Sequence, residues 1–186
     1  MNEQQYMLLA QLIGIVAMTM NILSFLRKEK RSILIMQLFG AMLFTVNFFM
    51  LGALTGSMLN LIAIARAAVY ANKERFHAEK KIWVWGFSAA FVAAYFVNFL
   101  FLGTEPSARN LIVEILPTIA MVVSTISFSM SGAAQVRKLA PIVSCLWLIY
   151  NIINMAIGGA LCEIFSICTT IIGILRHDTK LLQKHK

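Results

Sequence analysis

The feature that most constrains this chain is a run of 34 residues, positions 32–65, without one charged side chain. As a single helix it would extend about 51 Å, well past a hydrocarbon core of about 30 Å. Backbone polar groups in hydrocarbon must be satisfied inside the segment, so the run has to be helical and has to fold back on itself. The break is written at Leu51-Gly52-Ala53-Leu54-Thr55-Gly56, where two glycines can turn the chain tightly. Positions 139–175 repeat this logic, with Ile157-Gly158-Gly159-Ala160 at the break and Glu163 as the single charge. Three further stretches, 4–26, 82–104 and 115–136, hold 23, 23 and 22 uncharged residues, and each suits one span of about 20 residues. The spacing predicts an all-α membrane protein with seven transmembrane helices.

Composition agrees with that expectation and excludes other classes. The chain is 60% hydrophobic and 13% charged, with mean hydropathy +0.79, against about a quarter charged in soluble domains. A soluble enzyme, a nucleic-acid binder and a disulfide-stapled secreted module are thereby excluded. The net charge of +8 is explained by topology, because cytoplasmic loops collect Lys and Arg. With seven spans and the N-terminus outside, fifteen basic residues fall on the inner side and Arg109 alone falls outside. Arg66 belongs to the inner set if its long side chain snorkels toward the interface. The C-terminus is then cytoplasmic, and the basic tail 177–186 faces anionic lipid.

Cys145, Cys162 and Cys168 lie in apolar runs and read as small buried hydrophobes. His77, His177 and His185 are scattered through polar segments, so neither a metal nor a cofactor is expected. The N-terminus MNEQQ lacks a basic n-region and the apolar run that follows is long for a signal peptide, so it is expected to persist as the first helix.

Sliding the chain against itself by 103 positions aligns Ile15-Val16-Ala17-Met18 with Thr118-Ile119-Ala120-Met121 and Ser24-Phe25 with Ser127-Phe128. The same shift, without a gap, lays one glycine break on the other. This predicts two three-helix units, 4–72 and 111–176, joined by a linker helix over 81–104. The linker makes the second unit enter the membrane in the same orientation, a 3+1+3 parallel repeat with its pseudo-axis along the membrane normal. Transporters built this way bind solute between the halves near the midplane.

That plan resembles the SWEET, SemiSWEET and PQ-loop (MtN3-like) transporter superfamily. More closely, Ser24-Phe25-Leu26-Arg27-Lys28, Leu51-Gly52-Ala53-Leu54-Thr55-Gly56 and Leu59-Asn60-Leu61-Ile62 are similar to the YgjV-type bacterial inner membrane proteins, which implies a multi-pass inner-membrane location. The SWEET resemblance implies matched asparagines on the third and seventh spans that grip a solute and an aromatic on the sixth that stacks on it. Asn60 and Glu163 stand at those asparagine positions, with Trp147 and its counterpart Phe44 at the aromatic ones. It also implies prolines that assist rocking, but here Pro117 in one half faces Gly14 in the other as the candidate hinge pair.

Polar groups inside spans are costly and are functional candidates by default. A carboxylate in hydrocarbon must be relieved by a proton, a cation or hydrogen-bond donors. Glu163 is therefore a candidate proton carrier or anchor for a cationic solute, unless it points into a hydrated vestibule. Gln11 and Glu114 form a second matched pair nearer the outer surface, and Asn47, Tyr150 and Asn151 lie in the outer halves of the second and sixth spans. These are candidate solute contacts or interhelical hydrogen-bond glue. Asn21 and Ser124 lie deeper, as a candidate cavity floor. Pro117 is expected to kink its helix, and Pro141 is expected in a first turn where proline costs little. The linker helix, with Trp83 and Trp85 at its start, reads as lipid contact and interfacial anchoring.

The leading expectation is a non-enzymatic carrier for a small polar or cationic solute, with proton coupling and self-association both compatible with the chain. Its partners are that solute and the lipid bilayer, with no nucleic acid. The alternative is a non-transporting scaffold or regulator of another membrane protein.

Overall fold

A computed structural model describes residues 2–24, 30–130 and 133–173, with the side chains of 30, 31, 33 and 133–137 left aside. The expectations for Arg27, Lys28, His177, His185 and the tail 177–186 lie outside the described residues. Within them every regular element is an α-helix: α1 Glu3–Ser24, α2 Lys30–Met50, α3 Leu54–Ala71, α4 Lys73–Phe76, α5 Lys81–Leu100, α6 Ala108–Ser129, α7 Ala133–Ile153 and α8 Ile157–Gly173. Helices α1, α3, α5 and α6 are long and apolar enough to cross a membrane. Shorter apolar helical stretches occupy Leu34–Met50, Lys138–Ile153 and Ile157–Ile172, about 24–26 Å each at helical rise.

Six helices close into a ring through neighbouring contacts, in the order α1, α2, α3, α6, α7, α8 and back to α1. Helix α5 lies outside that ring, against α3 and α6. Apolar side chains fill the ring and also cover its outside. Phe48, Leu59, Phe91 and Tyr150 are fully buried, whereas Leu8, Phe49, Leu61, Ile82, Trp85, Leu100 and Ile112 point outward. A soluble protein rarely leaves so much apolar surface uncovered, and lipid is the solvent in which it costs nothing.

The two αα-hairpins are built alike. In the first, Gly52 N–H donates to Phe49 C=O at 3.1 Å and Ala53 N–H to Phe48 C=O at 2.9 Å. In the second, Met155 N–H donates to Ile152 C=O at 3.2 Å and Ala156 N–H to Asn151 C=O at 2.9 Å. This pair of bonds is the Schellman ending, in which one residue turns left-handed to satisfy the last carbonyls. Gly52 does so at φ 72° and Met155 at φ 53°.

The second turn is thus displaced from its expected position. It uses residues 154–156, and Gly158 and Gly159 belong to the first turn of α8. Their small size serves close packing instead. A Cβ on Gly158 would lie 2.3 Å from the backbone carbon of Gly14, and one on Gly159 would lie 2.7 Å from Asn151. Gly56 is likewise helical, and its missing side chain makes room for Tyr150, 2.9 Å from where a Cβ would stand.

Pro141 lies well inside α7 and not in a first turn, because α7 begins eight residues earlier, at Ala133. Pro117 is buried inside α6, which runs unbroken from Ala108 to Ser129. The short α4 was not anticipated; it ends at His77 in a left-handed conformation, φ 49°. Trp83 closes this corner by donating from Nε1 to Phe76 C=O at 2.8 Å and stacking on Phe87. The linker helix is only partly a lipid-facing element, since Phe91 and Asn98 are buried while Trp85 and Phe96 face out.

Candidate functional site

The ring surrounds a partly open cavity of about 230 Å³, below the 300–1,000 Å³ typical of drug-sized ligand sites. All six ring helices contribute to its wall and α5 contributes nothing. The wall has an internal order. Asn21 and Ser124, Gln37 and Ala140, Ala41 and Ser144, Phe44 and Trp147, Phe48 and Asn151, Asn60 and Glu163, Ala63 and Ser166, and Ala67 and Thr170 all line it, each pair 103 positions apart. Arg66 is the wall residue from α1–α3 without such a partner, since Thr169 does not line the cavity.

Of the sequence candidates, Asn60, Glu163, Trp147, Phe44 and Asn151 meet at this cavity, with Asn21 and Ser124. Helix α3 delivers Asn60, Ala63, Arg66 and Ala67 to one face because residues three and four apart align along a helix. Asn60 is buried and donates from Nδ2 to Gly56 C=O at 2.9 Å. The Glu163 carboxyl lies beside the Ser144 hydroxyl. An aromatic row forms one side, with Phe44 and Phe48 stacked at 5.9 Å and Phe48 and Trp147 at 5.8 Å between ring centroids. The wall thus combines an apolar aromatic surface with the polar groups of Asn60, Ser144 and Glu163.

The remaining candidates stand outside the wall and bind helices to each other. Asn47 donates from Nδ2 to Ala10 C=O at 2.7 Å, fixing α2 on α1. Tyr150 is fully buried, and its hydroxyl accepts from Gly56 N–H at 2.9 Å, joining α7 to α3. Gln11 clasps the second hairpin with both ends of its amide, donating to Met155 C=O at 2.9 Å and accepting from Ile157 N–H at 3.2 Å. Its counterpart Glu114 reaches the first hairpin, beside the hydroxyls of Thr55 and Tyr150. Gly14 presses on Gly158 across the α1–α8 seam, and Pro117 is buried in α6.

Arg66 corrects the sequence reading most sharply. It does not snorkel: the residue is 6% exposed and turns inward to α6. Nη1 donates to Met121 C=O at 3.1 Å, Ser124 Oγ at 2.6 Å and Thr125 Oγ1 at 2.8 Å. The rings of Phe91 and Phe128 stand 5.2 Å and 4.8 Å from its guanidinium carbon, cation–π contacts of about 0.5–2 kcal/mol each. No acidic side chain among the described residues pairs with it, and a buried charge without a counter-ion costs several kcal/mol. The signal that identifies Arg66 was present in the sequence: it is a charge inside an apolar helix, and α3 continues five residues past it.

Among the described residues no three His, Cys, Asp or Glu side chains converge as metal ligands. No curated protein and no solved structure matches the chain. The sequence model of the bacterial inner membrane protein family Imp-YgjV matches residues 8–180, nearly the whole length, and with several helices able to span a bilayer the chain belongs to that family of multi-pass inner membrane proteins.

Proposed function

We propose that this protein is a carrier for a small polar or cationic solute, working by alternating access between two parallel three-helix units, α1–α3 and α6–α8, with α5 as the linker and no catalytic chemistry. All seven long helices span the bilayer in this reading, with the N-terminus outside and the C-terminus cytoplasmic. The observation that carries it is the cavity wall, in which eight pairs of residues stand at a constant offset of 103 across the two units. A packing void left by chance has no reason to be lined by equivalent positions of two repeats. A central site used from both sides does, since each unit supplies the same face. The matching hairpins of α2–α3 and α7–α8 support the same relation, as does the resemblance to SWEET and PQ-loop transporters.

Access from both faces is the property to test. Ser144 lines the cavity, so Ser144→Cys, with Cys145, Cys162 and Cys168 replaced by serine, reports on it. Labelling by a membrane-impermeant maleimide is expected in both right-side-out and inverted vesicles. Labelling from neither side, or from one side only, would refute alternating access and favour the scaffold reading. In a flux assay over sugars, nucleosides, amines and amino acids, Asn60→Leu with Glu163→Leu is expected to abolish uptake of any transported solute.

A further inference from the structure

Arg66 breaks the pairing of the cavity wall, and one edge of its guanidinium is left without proper acceptors. Nη1 carries the bonds to α6, whereas among the described residues Nη2 meets only the Met121 thioether sulfur at 3.9 Å and Nε has no partner. Nε–H and the adjacent Nη2–H are the parallel donors that a carboxylate accepts as a bidentate pair. Phe91 and Phe128 stand 5.2 Å and 4.8 Å from the guanidinium carbon, and Nε itself is buried.

A charge this deeply buried is normally paired. Glu163 is the acidic residue that shares the cavity with it, and it stands on a different helix, beside Ser144. Along α3, Arg66 lies six residues beyond Asn60, about 9 Å further from the hairpin. The wall therefore carries a cation and a carboxylate on separate helices, with the aromatic row of Phe44, Phe48 and Trp147 also facing the cavity.

We propose that the free edge of Arg66 is the anion-binding end of the cavity and that the solute is a small zwitterion, its carboxylate on Arg66 and its ammonium received by Glu163. This rests on reading the cavity as the solute site, and it names the class of solute. A bound carboxylate gives Nε the acceptor it lacks and replaces a weak sulfur contact at Nη2. The cavity volume of about 230 Å³ suits a zwitterion the size of a single amino acid.

The test uses the purified full-length protein and follows thermal stabilisation by α-, β- and γ-amino acids, each beside its amide and its deaminated acid. Removing the carboxylate, with wild-type protein only, is expected to weaken binding about tenfold or more, the worth of a charge-assisted bond pair. Arg66→Gln is expected to erase the preference for amino acid over amide, and Arg66→Lys to restore part of it. If Arg66→Gln fails to fold, the wild-type comparison still decides. A solute that binds equally well with and without its carboxylate would overturn the zwitterion assignment and leave the carrier reading standing. No stabilisation by any solute, together with a cavity cysteine unreactive from both membrane faces, would remove both.

Discussion

Replacing Gly158 by alanine would put a methyl group where the neighbouring helix already has backbone. Its Cβ would lie 2.3 Å from Gly14 C, 2.5 Å from Gly14 O and 2.7 Å from Ile15 N. Ordinary contact begins near 3.4 Å, so α1 and α8 would have to separate by roughly 1 Å. Nothing flexible is available to yield, because all three obstructing atoms are main chain. Overpacking of this kind costs about 1–3 kcal/mol and more where the backbone must move, which puts Gly158→Ala at about 3 kcal/mol. At about 2–4 °C per kcal/mol for a chain of this size, the unfolding midpoint should fall by about 6–12 °C. Two controls calibrate the measurement by circular dichroism in one detergent. Gly14→Ala meets only the Asn47 side chain, at 3.0 Å, which can give way, and should cost less. Gly86→Ala meets nothing and should stabilise α5 by up to about 1 kcal/mol through helix propensity. A Gly158→Ala midpoint equal to that of wild type, or above that of Gly14→Ala, would refute the glycine contact between α1 and α8.

The two hairpins predict opposite responses at equivalent positions: Gly52→Ala should lower the midpoint and Met155→Gly should raise it, each by about 1 kcal/mol, since both residues are left-handed at φ 72° and 53°. Gln11→Ala removes both bonds to the second hairpin and should cost about 1–2 kcal/mol in the same unfolding assay; an unchanged midpoint would mean that water replaces the clasp. Tyr150→Phe leaves the buried Gly56 N–H without its acceptor and should destabilise by about 1–3 kcal/mol, with Tyr150→Leu worse again because the contacts to Phe48 and Trp147 also go.

The all-helical class and the fold-back of the first long run could be read from charge spacing because a bilayer leaves an uncharged 34-residue run so few options. What could not be read was which small residue turns the chain and which lets helices touch. Gly52 does the first, but Gly56, Gly158 and Gly159 do the second, and both uses write the same letter. The second turn falls on Met155, a residue with no turn preference, because hairpin geometry outweighs the local cost of a left-handed methionine. The cavity residues show the same division. Asn60 and Glu163 could be named because the 103-residue shift pairs them, and Trp147 with its counterpart Phe44 because the resemblance to SWEET transporters implies an aromatic there. Arg66 escaped because its counterpart is Thr169 and because a charge near a helix end has an ordinary explanation in snorkelling. Gln11 and Asn47 are structural in their contacts, and nothing in a polar residue's identity distinguishes a hydrogen bond to a neighbouring helix from one to a solute.

The α1–α8 and α3–α6 seams between the two units are closed by different physics, and that difference bears on how a solute is sensed. Between α1 and α8, Gly14 and Gly158 bring main chain against main chain, and the Gln11 clasp ties one hairpin down. Short-range packing of this sort is lost steeply with distance and has no other partner to turn to. Between α3 and α6, Arg66 reaches Met121, Ser124 and Thr125, with Phe91 of the external α5 against it, and Tyr70 meets the Phe128 ring edge-on at 6.3 Å. On the proposed reading the solute carboxylate takes the Nε and Nη2 edge of the same guanidinium whose Nη1 bonds α6, through charge-assisted bonds roughly twice as strong as neutral ones. In that reading, the residue that takes the solute's anion is therefore also one of the residues that bridge this seam. Solute binding then changes the energy of the seam directly, without a relay. A ligand shifts a conformational equilibrium only through contacts that differ between its states, and Arg66 is placed to make such a contact.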